Sequence, residues 1–324
     1  MKSLIALASL LVFACAGSAA DQGTALTGQT PGADSCSIAR PDFGGVATAA
    51  DRALFSYNAD APLGLQKTVE STSNGVETSA ISYSSPGGGQ VTGLLFDPVT
   101  RSSLRPGMVI LHGAPGNARQ MLAQGQLLAS YGAVVIAIDA PFARRSGSFL
   151  RFTADDRTEQ VQLIKDLQRA VDVLRSRVNV DRDRIAYIGI SYGGAMGALF
   201  VGIERRIKAA ALVVADGGLV SHFTGPEDAG VMSGLSCATR AGWFRAMTPV
   251  EPIRFLPHAT PIALLLQSGR TDNLVPAPDA EEVRKAAPEP KRIIWYEAGH
   301  GLNQQAAFER HDWLHEQIGL DARR

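Results

Sequence analysis

From residue 107 onward, short apolar runs alternate with segments of helical pattern, and this alternation limits the possible folds most strongly. Each run has five to seven residues, too few for a helix, and Gly, Pro or Asp bounds it. Such runs are typical of strands buried on both faces of a parallel sheet. They cover residues 107–111, 133–138, 185–190, 209–214, 261–267 and 292–296.

The segments around these runs predict a helix, a hairpin and an insertion. An apolar stripe on one helix is predicted from a spacing of three or four residues between Val161, Ile164, Leu167, Val171, Leu174 and Val178. Extended stretches over 78–84 and 90–96 flank a Pro-Gly-Gly-Gly turn and predict a hairpin. Residues 217–258 break the alternation, which favours a cap over a site, with an ordinary surface loop as the alternative.

The first twenty residues have the pattern of a secretory signal. Lys2 precedes an apolar run over 4–13, and small residues follow up to Ala20. A buried N-terminal helix is the alternative. The segment 12–15 resembles a bacterial lipoprotein box that ends at Cys15, so a lipid anchor there is a second possibility. The chain is therefore expected to be exported, to the periplasm or the medium, and no later stretch is long and apolar enough to span a membrane.

The domain organisation predicted from these patterns is simple. A signal peptide over 1–20 precedes an N-terminal arm over 21–76, and one catalytic domain over 77–324 contains the insertion at about 217–258. Lys plus Arg and Asp plus Glu both number 31, so no basic field is present to hold nucleic acid. These features predict a small, weakly charged substrate. The sequence does not predict an oligomeric state.

A strand, a Gly-x-Ser-x-Gly motif and a helix start follow one another around Ser191. A serine in this motif sits on a strained turn, where side chains at Gly189 and Gly193 would collide with the backbone. The Tyr192 amide then faces the position of a developing oxyanion. The sequence therefore predicts Ser191 as a nucleophile.

A second strand end supports this prediction. His112 and Gly113 follow the run at 107–111, and the Ala114 amide is the predicted second oxyanion donor. His112 is predicted to stabilise the turn. The catalytic histidine of this arrangement is expected last in the chain, after the serine.

The remaining partners follow in that order. Asp272 comes after the run at 261–267, and His300 comes after the run at 292–296. His300 is the predicted general base, and Asp272 is predicted to orient it. Asp216 is the main rival acid and Asp139 a weaker one. The other histidines, His222, His258, His311 and His315, are expected to be structural or exposed.

No zinc or phosphate-binding motif occurs in the sequence. Catalysis is therefore expected to need neither a cofactor nor a metal.

At these residues the chain resembles the α/β-hydrolase superfamily, and within it the dienelactone-hydrolase-like and prolyl-oligopeptidase-like enzymes. The segments that carry the resemblance are 180–185 with 189–194, and 269–276 with 299–300, and the similarity extends over about residues 77–320. It implies a mostly parallel sheet with helices on both faces, the Ser191, Asp272 and His300 triad, and the two oxyanion amides.

Two departures from the family pattern bear on the substrate. Dienelactone hydrolases usually carry cysteine where this chain has Ser191, which argues against dienelactone. Related oligopeptidases carry a large β-propeller before the hydrolase domain, and the segment before residue 77 is too short to build one. We therefore expect an ester hydrolase, with a peptidase or amidase as the alternative and a catalytically silent binding module as a third reading.

Cys36 and Cys237 are the two cysteines that remain once Cys15 is removed or lipidated. In an oxidising compartment a lone pair of thiols commonly forms a disulfide. Here it would tie the arm to the cap. Two separate buried thiols are the alternative.

Overall fold

The fold is built on a single sheet of nine strands within residues 39–100, 104–225 and 229–323, which a computed structural model describes. The strands are β1 (Gln66–Ser73), β2 (Val76–Ser84), β3 (Gln90–Pro98), β4 (Arg105–Leu111), β5 (Val134–Ile138), β6 (Val180–Ile190), β7 (Ala209–Val213), β8 (Ala263–Gly269) and β9 (Lys291–Tyr296). All of the described residues belong to one compact unit.

The strands lie in the order β1-β2-β3-β5-β4-β6-β7-β8-β9. The β1–β2, β2–β3 and β3–β5 pairs are antiparallel. The β5–β4, β4–β6, β6–β7, β7–β8 and β8–β9 pairs are parallel. The carboxyl ends of β4, β6, β7, β8 and β9 therefore meet at one edge of the sheet. Ligands bind at this edge in sheets of this kind.

Helices cover both faces of the sheet. They are α1 (Ala49–Ala53), α2 (Leu122–Ser130), α3 (Ala154–Ser176), α4 (Tyr192–Ile203), α5 (Leu219–Phe223), α6 (Ala229–Ser233), α7 (Cys237–Met247), α8 (Ala277–Ala286) and α9 (Gln304–Ile318). Buried residues of α3, α4 and α8 pack on one face, and those of α2 and α9 pack on the other. The parallel strands contact both layers, which is why their sequences are continuously apolar.

The predicted helix between the second and third apolar runs is α3, but it is shorter than its stripe. Thr153 caps its start, and Ile164, Leu167, Val171 and Leu174 are buried in it. The prediction for Val178 is wrong, because the backbone becomes extended at Arg177 and Val178 is 93% exposed. The chain turns there into β6.

The sheet also begins before residue 77, the predicted start of the catalytic domain. Strand β1 pairs with β2, with an irregularity between Val69 and Ser71. Every residue of β1 is exposed, so its sequence lacks the alternation by which a half-buried strand is predicted. The predicted hairpin is present as β2 and β3.

The described residues of the insertion over 217–258 form helices and no strand. It holds α5, α6, α7 and three short 3₁₀ helices over 248–250, 252–254 and 256–258. No helix in the described part of the chain is long and apolar enough to cross a membrane. The predicted signal peptide, Cys15 and Cys36 lie outside the described residues.

Candidate active site

Ser191 lies between β6 and α4 in a backbone conformation that L-residues rarely adopt, with φ at 56°. A Cβ atom on Gly189 would collide with the Gly193 carbonyl, and one on Gly193 would collide with the Leu111 carbonyl. The buried Tyr187 hydroxyl donates a 2.6 Å hydrogen bond to the same Gly193 carbonyl. The strand, the turn and the helix start are therefore held in close contact around the serine.

The turn after β4 lies directly against Ser191. A Cβ atom on Gly113 would be 3.3 Å from the Ser191 Cβ atom. His112 is buried, donates from Nδ1 to the Gly113 carbonyl at 2.7 Å, and accepts at Nε2 from the Ala140 amide at 3.2 Å. Burial lowers the pKa of His112 and so favours the neutral ring. His112 thus stabilises the turn, as predicted from its position.

Ala114 and Tyr192 border the pocket in which Ser191 lies. The Ala114 N–H donates no hydrogen bond to another described residue. The Tyr192 N–H belongs to the first turn of α4, where amides have no partner inside the helix. The Tyr192 ring packs edge-on against Phe142 and Phe149, with centroids 5.3 and 5.4 Å away.

Asp272 and His300 follow the carboxyl ends of β8 and β9. His300 Nδ1 lies 2.8 Å from Asp272 Oδ2 and 3.1 Å from Oδ1. A carboxylate can only accept, so the ring proton is on Nδ1. Asp272 Oδ1 also accepts from the amides of Leu274 and Val275, each at 2.9 Å. Burial alone would raise the pKa of Asp272, but these hydrogen bonds outweigh it and hold the pKa below its ordinary value.

A buried polar network joins the elements that carry this pair. Gln267 of β8 donates to the Tyr296 hydroxyl of β9 at 2.7 Å and to the Ala306 carbonyl of α9 at 2.8 Å. Arg310 of α9 donates to Gln267 Oε1 at 2.7 Å, and burial lowers the pKa of Arg310 to about 10. The two strand ends are thereby fixed relative to each other.

A pocket of about 330 Å³ opens beside Ser191. Its apolar lining includes Phe149, Leu219, Phe223 and Leu274, and its side-chain carboxylate and imidazole come from Asp216 and His222. Helix α5, at the start of the insertion, thus forms part of the wall. A larger and more open cleft of about 470 Å³ is lined by residues such as Arg52 and Arg205, and it contains none of the predicted site residues.

Asp216 pairs with His222 rather than with His300. His222 Nδ1 lies 2.7 Å from Asp216 Oδ2, and Asp216 Oδ1 accepts from the Gly218 amide at 3.0 Å. His222, expected to be structural or exposed, is partly exposed and also lines the Ser191 pocket. In the sequence, the signal for this pairing is that His222 comes six residues after Asp216, which follows a strand. Asp139 accepts from the Ala118 amide at 2.8 Å and supports a loop.

Three predicted residues, Ser191, Asp272 and His300, lie at the ends of β6, β8 and β9. Among the described residues, no hydrogen bond joins Ser191 Oγ to His300 Nε2. Catalytic hydrogen bonds are often long before a substrate binds. No cluster of three or more His, Cys, Asp or Glu residues suited to a metal ion is found in the part of the chain that the structure describes.

Comparison with known proteins gives one family match. The model of the prolyl oligopeptidase family matches residues 120–316. Among curated proteins, the uncharacterized protein YfhR of Escherichia coli K12 is 28% identical over 164 residues, which cover 50% of this chain and 53% of YfhR. The chain therefore spans about half the length of the curated relatives it matches.

Solved structures that are similar to this one at low sequence identity include an esterase and a peptidase. An acetyl xylan esterase from Paenibacillus sp. R4 has a TM-score of 0.66 at 18% identity, and the match covers 83% of this chain and 92% of the esterase. A puromycin-hydrolyzing peptidase of Mycobacterium tuberculosis has a TM-score of 0.61 at 20% identity, over 79% of this chain and 41% of the peptidase. These matches confirm the predicted α/β-hydrolase fold.

Proposed function

We propose that this chain, which belongs to the prolyl oligopeptidase family of serine hydrolases, cleaves carboxylic esters through an acyl-serine intermediate. Ser191 is the nucleophile, His300 the general base and Asp272 the residue that orients the base. The observation that carries this assignment is the 2.8 Å hydrogen bond between His300 Nδ1 and Asp272, which leaves Nε2 as the nitrogen that can accept a proton.

In the first half-reaction, Ser191 Oγ attacks the ester carbonyl carbon while its proton moves to His300 Nε2. The resulting imidazolium is stabilised by the buried Asp272 carboxylate, whose lowered pKa keeps it ionised at neutral pH. When the tetrahedral intermediate collapses, the bond to the alcohol oxygen breaks and His300 returns the proton to that oxygen. An acyl-serine and a free alcohol result.

In the second half-reaction, water attacks the acyl-serine and His300 takes the proton of that water. The bond between Ser191 Oγ and the acyl carbon breaks, the serine regains a proton, and the carboxylic acid leaves. In both halves the developing oxyanion accepts hydrogen bonds from the Ala114 and Tyr192 amides. Fixed amide donors at this position commonly contribute a few kcal/mol to transition-state stabilisation.

Two observations favour ester over peptide substrates. The match with the acetyl xylan esterase covers nearly all of that enzyme, whereas the match with the puromycin-hydrolyzing peptidase covers less than half of that protein. The pocket beside Ser191 has a volume of about 330 Å³, at the small end of the range for ligand sites, which suits a short acyl group. Peptide or amide cleavage by the same residues is the second candidate.

Export is also part of the proposal, to the periplasm or the medium, with or without a lipid at Cys15. Its support is the signal-like pattern over 1–20 and the participation of Cys237 in a disulfide. Disulfides persist in oxidising compartments and are rare in the cytosol.

A fluorophosphonate probe tests the assignment directly. We expect it to label Ser191 in the wild-type protein and to leave the Ser191→Ala variant unlabelled. Hydrolysis of p-nitrophenyl esters of increasing chain length, set against aminoacyl amides, then separates the two substrate classes. Absence of labelling together with absence of turnover would favour a silent binding module, and faster turnover of the amides would favour a peptidase.

A further inference from the structure

The pocket beside Ser191 contains a second histidine–aspartate pair for which the proposed reaction has no use. His222 of α5 and Asp216, which follows β7, both line the pocket, and 2.7 Å separates His222 Nδ1 from Asp216 Oδ2. Their side chains are 29% and 9% exposed, so both are partly withdrawn from water but are not sealed in the core. A polar pair in a mostly apolar pocket commonly fixes the orientation of a ligand.

Further carboxylates stand behind this pair. Glu251 is fully buried and accepts hydrogen bonds from the amides of Val220 and Ser221, at 3.2 and 2.8 Å. Burial, with the negative charge of Asp216, raises the pKa of Glu251 to about 7. Asp279 of α8 is likewise coupled to Asp216, and burial raises its pKa.

Two acids of α8 near this pair form ion pairs with one guanidinium. Arg40 lies 3.7 Å from Asp279 and also pairs with Glu282. Arg40 is thus shared between Asp279 and Glu282, and neither of these ion pairs includes Asp216.

Asp216 retains capacity to bind a ligand. An ionised carboxylate offers about four acceptor positions, and among the described residues Asp216 accepts hydrogen bonds from His222 Nδ1 and the Gly218 amide. These two donors also fix the orientation of the carboxylate. An ammonium group entering an apolar pocket loses its hydration and requires a carboxylate partner, whereas a second carboxylate would be repelled.

We propose that the Asp216–His222 pair makes this pocket selective for substrates that carry a cationic amine in the group that enters it, and that it rejects carboxylate-bearing groups. Asp216 is the recognising residue and His222 positions it. This inference rests on the proposed function, because it assigns specificity to the pocket of Ser191.

Three ethyl esters with acyl chains of similar length test the inference. Ethyl 4-aminobutyrate ends in an ammonium group, ethyl pentanoate ends in a methyl group, and ethyl hydrogen succinate ends in a carboxylate. We expect wild-type kcat/KM to be at least about tenfold higher for the amine than for the methyl ester, and lowest for the carboxylate. A tenfold ratio corresponds to about 1.4 kcal/mol of differential transition-state binding.

Variants show whether the pair causes the selectivity. Asp216→Asn keeps an oxygen for the Gly218 amide and removes the charge, so we expect the amine-to-methyl ratio of kcat/KM to fall about tenfold. His222→Gln is expected to reduce the ratio less. Asp312→Asn removes an exposed carboxylate that pairs with Arg323, and is expected to leave the ratio unchanged.

The outcomes separate this inference from the function on which it rests. A wild-type preference for the succinate ester, equal rates for all three esters, or an unchanged ratio in both pocket variants would overturn the inference alone. If His222→Gln abolishes turnover of every ester as His300→Ala does, His222 is part of the catalytic unit and the inference fails. If wild-type protein hydrolyses none of the esters and Ser191 is not labelled, both proposals fail.

Discussion

His300 Nδ1 and Asp272 Oδ2 are 2.8 Å apart although 28 residues separate them in the chain. Each follows a different strand, so the contact depends on the pairing of β8 with β9 and on the register that sets Gly269 opposite Tyr296. The orientation of the proposed base is thus a property of the sheet rather than of one loop.

The first prediction concerns the nucleophile and the base. Ser191→Ala and His300→Ala are each expected to lower kcat by on the order of 10⁵ to 10⁶, because two residues that act as one unit lose similar factors. Steady-state hydrolysis of ethyl pentanoate measures the loss, and Asp312→Asn, which removes an exposed carboxylate paired with Arg323, is the control, expected to match wild type. Retention of more than about a tenth of wild-type turnover by either alanine variant would contradict the assignment.

The second prediction ranks the two strand-end acids. Asp272→Asn is expected to cost about 10³ to 10⁴ in kcat on ethyl pentanoate, because an amide can bind His300 in the wrong tautomer. Asp216→Asn is expected to cost little on this neutral ester, since Asp216 contacts His222 instead. Parallel assays of the two variants provide the comparison. The reverse ranking would assign the orienting acid to Asp216, which follows β7.

The third prediction concerns the attachment of the insertion to the core. Trp243 of α7 donates from Nε1 to the buried Asp156 of α3 at 2.9 Å, and burial raises the pKa of that carboxyl. Trp243→Phe removes this donor and is expected to lower the free energy of unfolding by about 2 kcal/mol, as measured by urea denaturation. Trp295→Phe serves as the control, because its half-buried ring packs beside Arg270 and its loss should cost less. If both substitutions lower the free energy of unfolding equally, the Trp243 hydrogen bond does not attach the insertion to the core.

The fourth prediction is a pH dependence of stability from Glu251. Burial raises the pKa of Glu251 from 4.5 to about 7 in the folded protein. Below pH 4.5 the carboxyl is protonated in both the folded and the unfolded state, so it has no effect on the pH dependence of stability. Between these values the unfolded chain releases the proton and the folded protein keeps it, so stability falls as pH rises. The full loss above pH 7 is about 3 kcal/mol.

Glu251→Gln cannot ionise, so its stability relative to wild type should rise between pH 5 and pH 8. Chemical denaturation of both proteins at these two pH values gives the difference, in which the titration of more distant groups cancels. The amide loses one of the two backbone hydrogen bonds that Glu251 accepts, which shifts the variant by a constant amount. If the free energies of unfolding of the two proteins change equally with pH, the pKa of Glu251 is not raised in the folded protein.

The fifth prediction identifies the partner of Cys237, which is in a disulfide. Non-reducing peptide mapping of protein from its native compartment is expected to join Cys237 to Cys36. Closure of a loop of about 200 residues would add at most about 5 kcal/mol in the chain-entropy model. Alkylation of both thiols in denatured protein without reductant would contradict the pairing.

The parallel strands and the order of the proposed triad could be predicted because both leave local signals. Strands buried on both faces, such as β5 and β7, read as unbroken apolar runs. Ser191, Asp272 and His300 each follow such a run directly or closely. The flanking Gly189 and Gly193 predict a strained turn at Ser191, since only glycine leaves room for the neighbouring carbonyls.

The elements that were missed depend on contacts between distant segments. Strand β1 is exposed along its whole length, so only its pairing with β2 reveals it. His222 reaches the pocket because α5 folds back over the sheet edge, and no periodicity predicts that contact. The link from Arg40 to Ser221, Thr224 and Asp279 spans more than 180 residues and has no local signature.

The left-handed backbone at Ser191 also makes catalysis a reporter of cooperative folding. Its conformation is maintained by the hydrogen bond from its amide to the Val213 carbonyl of β7 and by the glycine contacts between β4, β6 and α4. A partly unfolded chain that has lost any of these elements presents an ordinary, unreactive serine. Residual hydrolytic activity during unfolding therefore counts only molecules whose central sheet is fully assembled.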